Sequence, residues 1–223
     1  MLVIVLLLIS SYLLGSLPFG LWIARRISGV DIRTVGSGNI GSTNVTRICG
    51  PIAGAGVMAL DIAKGIVPPL VGIALKLDSK WLILAALIAI LGHNFSVFLG
   101  FKGGKGIATS AGALLGISFP VGVMALIIFT SEVLTFRYVS VGSLLAAVSL
   151  PFGMRYFYPG DNYRLAFALL ACIMAFYKHR SNIVRLANGV EPRVSLRRRS
   201  QSGPAPTSEA HEPSDGSQSH AGS

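Results

Sequence analysis

Residues 2–24 contain no charged side chain, and five further apolar runs follow at residues 52–75, 81–99, 107–136, 139–157 and 163–177. A run of roughly 20 mostly apolar residues is long enough to cross the hydrocarbon core of a bilayer as a helix. Inside that core a helix satisfies every backbone polar group within the segment, which is why helices are the default spanning structure. Hydrophobic residues make up 52% of the chain and charged residues 13%, too little polar surface for a soluble domain of 223 residues. The expected fold is therefore an all-α polytopic integral membrane protein.

The formal net charge is nevertheless +10. Nucleic-acid binders reach such a balance with basic patches on polar chains. Here the basic residues sit in short gaps between apolar runs, the pattern that retains loops on the cytoplasmic side of a membrane. That distribution excludes nucleic acid as the partner and makes membrane lipid the surroundings. No Lys or Arg precedes the first run, and Arg25 and Arg26 follow it. The first helix is thus expected to be uncleaved, with its N-terminus outside. Cys49 and Cys172 lack neighbours at disulfide or metal-ligand spacing.

Parity decides the expected helix count. Six spans would place the arginines after residue 24 (Arg25, Arg26, Arg33, Arg47) and those near the C-terminus (Arg180, Arg185, Arg193, Arg197) on opposite sides. The positive-inside rule wants both groups in the cytoplasm. The run 107–136 is long and carries Gly116 and Pro120 near its middle. A proline there interrupts a helix and restricts the residue before it. A fold-back near Ser118 gives about seven transmembrane helices, with the N-terminus outside and the C-terminus cytoplasmic; two short half-spans would weaken that count. Residues 1–195 form the expected membrane-embedded domain. Residues 196–223 turn to Ser, Pro, Gly, His and charge, and are expected to be a disordered polar tail.

With this topology four segments reach the cytoplasmic edge. The first, GSGNIGSTNVTR at residues 36–47, is rich in glycine, asparagine and hydroxyl residues, which make poor helix and good anion-binding backbone. Candidate residues are Ser37, Asn39, Asn44 and Arg47. By Gly and Ser content alone this is a flexible loop. The second, GHNFSVFLGFKGGKGIAT at residues 92–109, interleaves Lys102 and Lys105 with Gly103, Gly104 and Gly106 just before a helix. Backbone donors, a helix N-terminus and ammonium groups converge there as in a phosphate cradle. Its spacing is not that of a Walker A loop. The third, RYVSVGS at residues 137–143, places Ser140 and Ser143 on one helix face. The fourth, HRSNIVRLANGVE at residues 179–191, does the same for His179 and Asn182. Each is ordinary alone; together they assemble a positive pocket suited to an anionic, doubly phosphorylated reaction partner.

These strings, in this order and spacing, resemble the three motifs of the bacterial acyl-phosphate-dependent glycerol-3-phosphate acyltransferase family, over residues 1–193. LDIAKG and RYVSVGS also match the family pattern. The resemblance implies a seven-helix inner-membrane enzyme that needs no cofactor or metal. It would transfer a fatty acyl group from acyl phosphate to the 1-hydroxyl of glycerol 3-phosphate, giving lysophosphatidic acid and phosphate, the first acylation of phospholipid biosynthesis. A peripheral acyl-phosphate-forming enzyme is an implied candidate partner. Carried over by motif, Ser37, Arg47, Lys105, His179 and Asn182 are the expected catalytic residues. Asn39, Asn44, Lys102, Gly103, Gly104, Gly106 and Ser143 are expected to bind substrate, and Glu191 to be mainly structural.

Other chemistries fit less well. His93 is followed five residues later by Phe98, so the H-x-x-x-x-D arrangement of acyl-CoA acyltransferases is absent. Asp31 and Asp61 lack the spacing for Ser/His/Asp catalysis, and two histidines outside the tail without clustered carboxylates do not make a metal site. Asp61 and Lys64, three apart within a span, read equally as a self-neutralising pair or as a wall of the site. A transporter or channel for a phosphorylated metabolite is the rival reading. It would bind near the midplane between repeated halves, whereas these cations gather at one edge and no repeat is visible.

Overall fold

The structure, a computed structural model, describes residues 1–194. Ten α-helices occupy them: α1 (Leu2–Ser16), α2 (Phe19–Ser28), α3 (Ser42–Cys49), α4 (Pro51–Ala74), α5 (Ser79–Asn94), α6 (Ile107–Ile117), α7 (Phe119–Phe136), α8 (Val139–Phe157), α9 (Asn162–Lys178) and α10 (Arg180–Ala187). The all-helical expectation holds. Five stretches are long and apolar enough to cross a bilayer: Leu2–Ser28, Pro51–Ala74, Ser79–Leu99, Phe119–Phe136 and Val139–Phe157. Large apolar side chains such as Leu6, Ile9, Leu70, Ile127 and Ile173 are exposed along these helices and α9, as lipid-facing residues are.

The long run does break at Ser118, which is extended at φ −160° and carries Pro120 in the first turn of the next helix. The two pieces are unequal. At about 1.5 Å per residue, α7 measures ~27 Å and α6 only ~16 Å, so α6 alone falls short of a ~30 Å hydrocarbon core. Two other boundaries differ from the sequence reading. Leu17, ahead of Pro18, takes an extended ψ of 121° and ends α1, so the first span is bent into α1 and α2. Residues 42–49, read as loop because of their composition, form α3. Its buried Val45 packs on Leu21, Ala24, Ala53 and Val57, and this tertiary contact overrides the weak propensity.

Two buried clusters organise the bundle. One joins α5 to α9 through Ile83, Ile90, Leu114, Leu150, Met154 and Phe167. The other holds α2, α3 and the start of α4. Between them α4 and α6 approach closely at glycine: a Cβ at Gly65 would lie 2.0 Å from the Thr109 carbonyl oxygen, and one at Gly112 the same distance from that of Ile62. In lipid, where apolar burial gives no extra driving force, such backbone contact is a main source of helix association.

Asp61 and Lys64 are both buried in α4 and paired at 2.9 Å. The Lys64 ammonium also donates to the Leu17 carbonyl at 3.0 Å, where α1 ends. These contacts favour the structural reading, since the pair pins the bend in the first span to α4.

Candidate active site

Three loops at the ends of the helices meet in a cleft of about 220 Å³. Ser37, Gly38 and Asn39 line it from the α2–α3 loop, Gly103 and Lys105 from the α5–α6 loop, and Lys178, Arg180, Ser181 and Arg185 from the end of α9 and α10. Segments more than 60 residues apart in sequence thus converge, and four cations face one small space.

The α2–α3 loop is shaped by Asn44. Its amide donates to the carbonyls of Ile32, Val35 and Asn39 at 3.0–3.2 Å, and its oxygen accepts the Ser37 N–H at 3.0 Å. Both ends of its amide are engaged by the loop, so Asn44 holds Ser37 and Asn39 in place from beneath the cleft. Asn39 in turn accepts the Gly41 N–H at 2.8 Å. Arg47 is exposed on α3, near enough for its charge to act on Lys105.

The glycine loop is seated on the end of α5. Gly104 donates its N–H to the His93 carbonyl at 3.0 Å. A Cβ at Gly103 would lie 2.0 Å from that carbonyl oxygen, and Gly106 at φ +80° caps α6. Only glycine allows this approach, and it aims Lys105 into the cleft. Lys102, by contrast, is exposed and lies outside the cleft lining.

Lys105 donates to Asn182 Oδ1 at 2.5 Å. Burial first, and then the charges of Arg185, Arg47 and Lys178, push its pKa down to about 8, while Glu191 works the other way. His179 is buried between α9 and α10, where its Nδ1 meets the Ala175 carbonyl at 2.8 Å. That contact suits a tautomer with the proton on Nδ1 and the lone pair on Nε2. Burial and the Lys105 charge lower the imidazole to about 4, so it is neutral at physiological pH. Ser143 is buried, and its hydroxyl donates to the Val139 carbonyl at 2.8 Å, away from the cleft lining.

Sequence reasoning did not single out Lys178 and Arg180 as site residues. Their signal was position, since both flank His179. Lys178 donates to the Asn94 carbonyl at 2.7 Å, which ties the end of α9 to the end of α5. Among the described residues no group of three or more His, Cys, Asp or Glu could hold a metal ion.

The fold and the cleft define a polytopic membrane protein whose cationic pocket, at one edge of the bundle, is suited to phosphate-bearing molecules. A sequence profile of the glycerol-3-phosphate acyltransferase family matches residues 5–189, and the chain belongs to that family. It is 43% identical to a glycerol-3-phosphate acyltransferase of Geotalea daltonii, across 84% of this chain and 95% of the relative. With the one from Geobacter sulfurreducens the identity is 44%, over 82% and 93%. Two crystal structures of PlsY (YgiH), an integral membrane glycerol 3-phosphate acyltransferase, share the fold. Its glycerol 3-phosphate form gives a TM-score of 0.81 at 39% identity, covering 86% of this chain and 96% of that one. Its lysophosphatidic acid form gives 0.78 at 38%, covering 86% and 95%.

Proposed function

We propose that this chain transfers a fatty acyl group from acyl phosphate to the 1-hydroxyl of glycerol 3-phosphate at the cytoplasmic face of the bacterial inner membrane. The observation that carries the reading is the convergence of Lys105, Lys178, Arg180 and Arg185 on one cleft with the Ser37–Asn39 loop, at the edge of a helical bundle. Two phosphoryl groups, one on each substrate, account for that excess of cations.

In the reaction the hydroxyl oxygen attacks the acyl carbonyl carbon. The new ester C–O bond forms as the bond from that carbon to the phosphate oxygen breaks, and phosphate leaves with the electron pair. Lys105 and Arg47 hold phosphate charge, and the backbone at Gly103 lets a phosphate approach closely. Ser37, Asn39 and Asn182 position oxygens by hydrogen bonds, and Asn44, Gly104 and Gly106 keep their loops in shape. Ser143 supports the site from within α8, and Lys102 adds charge at the rim. His179, lowered to about 4, is a weaker base than a phosphate dianion, whose conjugate acid has a pKa of ~6. The hydroxyl proton passes to a substrate phosphate oxygen or, as bound phosphate charge raises the imidazole, to His179 Nε2.

The cytoplasmic placement goes with a count of seven crossings, in which α6 and α9 join the five long apolar stretches. At one end of α6 Lys105 bonds Asn182, just beyond the end of α9; at the other, the Arg164 guanidinium near the start of α9 donates to the Ile117 carbonyl at 3.2 Å. The two helices thus lie antiparallel, and α6 with the loop before it is read as a short span. The cleft edge carries most of the basic residues. Of the loops at the opposite edge, the described residues contribute only Lys76, Lys80, Arg155 and Arg164. This favours the cytoplasm for the cleft, an outside N-terminus and an inside C-terminus. Residues 1–195 then act as the membrane domain; the polar tail at 196–223 lies outside the described residues.

Purified protein in detergent, given acyl phosphate and glycerol 3-phosphate, is expected to release lysophosphatidic acid and phosphate in equal amounts. No product would refute acyl transfer. Lys105→Ala should chiefly weaken glycerol 3-phosphate use, and unchanged kinetics would remove Lys105 from the phosphate site.

A further inference from the structure

We infer that Glu191, which the family resemblance marks as mainly structural, is a positioning residue that orients the Asn182 amide and thereby keeps Lys105 seated and cationic. The inference rests on the acyl-transfer reading above.

The chain leaves α10 and straps back over the corner between α7 and α8. Val194 donates its N–H to the Arg137 carbonyl at 2.7 Å, and the Arg193 guanidinium donates to the Tyr138 hydroxyl at 2.9 Å. The strap brings the Glu191 carboxylate inward, leaving its side chain 7% exposed. Three donors converge on it. Ser140 and Asn182 give hydrogen bonds to Oε1 at 2.8 and 2.6 Å, and Arg185 gives one to Oε2 at 2.8 Å. Burial works to raise the carboxyl, but these donors outweigh it and hold it below the usual carboxylate range.

An ionised carboxylate only accepts hydrogen bonds, and an ammonium only donates them. The Asn182 amide lies between the two. Its NH2 must face Glu191, which leaves its oxygen for Lys105 at 2.5 Å. Donor and acceptor match at each link, and the negative end of the relay is anchored outside the cleft. Substrate phosphate can then approach Lys105 without meeting a carboxylate.

The charged and titratable groups acting on Lys105 are Arg47 from α3, Lys178 from α9, Arg185 from α10 and Glu191 from the strap, with His179 feeling Lys105 in return. Three cations oppose its protonation and Glu191 favours it. Ser140 completes the device from α8: its hydroxyl fixes the carboxylate oxygen that Asn182 uses.

The test is steady-state kinetics and a pH profile of the purified full-length chain in detergent. Glu191→Gln keeps the shape and removes the charge. It is expected to lower kcat/KM for glycerol 3-phosphate about tenfold to a hundredfold, the scale of losing a charged hydrogen-bond partner. It should also move the alkaline limb of activity to lower pH, which a merely structural role would not do. The double variant Glu191→Gln/Asn182→Asp restores a carboxylate for Lys105 with a donor behind it. It should bring the limb back up, while the carboxylate now beside the cleft keeps kcat/KM for glycerol 3-phosphate low. An unmoved limb in Glu191→Gln, or a limb that stays low in the double variant, would overturn the inference. If Glu191→Gln does not melt cooperatively, Ser140→Ala takes its place. It should cost about threefold in kcat/KM, with Ser140→Thr restoring it, and wild-type kinetics for Ser140→Ala would be fatal. Failure of the wild type to make lysophosphatidic acid would sink the acyl-transfer reading instead.

Discussion

Gly103→Ala isolates one physical requirement of the site, because the substitution adds a single methyl group at ordinary φ. That methyl carbon would sit 2.0 Å from the His93 carbonyl oxygen and 3.0 Å from the Asn94 carbonyl carbon. Both are main-chain atoms at the end of α5, and His93 and Asn94 are buried. They cannot turn aside as a flexible side chain could. Relief of the overlap requires the glycine loop to shift by about 1 Å, carrying Lys105 with it. A displacement of that size can cost about a hundredfold in rate, or ~2.7 kcal/mol of transition-state stabilisation. The overpacking itself should destabilise the protein by ~1–3 kcal/mol. Kinetics with each substrate varied in turn, together with thermal melting in detergent, checks both figures. The loss should appear mainly in kcat/KM for glycerol 3-phosphate. Gly56→Ala is the control, since nothing lies within 4 Å of a Cβ there. If Gly103→Ala matched Gly56→Ala in activity and melting, close seating of the loop on α5 would not be what the site needs.

Three other outcomes follow from the same structure. Lys105 is depressed to about 8 and acts as a cation, so activity should fall as pH rises through that value; a profile flat to pH 10 would contradict its role. Removing one member of the buried Asp61–Lys64 pair leaves a lone charge, so Lys64→Met should lose ~3–5 kcal/mol in stability, while the double variant Asp61→Leu/Lys64→Met recovers most of it. Equal melting temperatures for the single and double variants would mean that the pair is not coupled. Labelling of single cysteines in intact cells should reach Asn162→Cys from outside and Ser181→Cys only after the membrane is opened; labelling of both from one side would remove α9 as a span.

Much of the site could be read from residue order. Glycine and lysine at 102–106 suggested an anion-binding loop, and the structure brings Gly103 and Lys105 of that loop to the cleft. His179 and Asn182 shared a face by spacing alone. Other roles depended on partners that spacing does not reveal. Asn44 looked like a ligand but spends its amide on three carbonyls of its own loop. Arg180 read as membrane-flanking charge and Lys178 was not singled out, yet both line the cleft. Asp61 and Lys64 allowed two readings by spacing, and only the fold places the Leu17 carbonyl against the lysine.

The sequence by itself determined the solvent, since 20-residue apolar runs with basic gaps leave a bilayer as the only consistent surroundings. It also determined the break at Ser118, because proline acts on its immediate neighbours. The tertiary structure decided which polar groups satisfy one another. Helix α3 forms because Val45 has a core to enter, and Glu191 reaches Asn182 because the strap is pinned to Arg137 and Tyr138. Apolar periodicity and proline act within a few residues and leave a mark on the chain, whereas hydrogen bonds between distant loops depend on where the folded backbone places their ends.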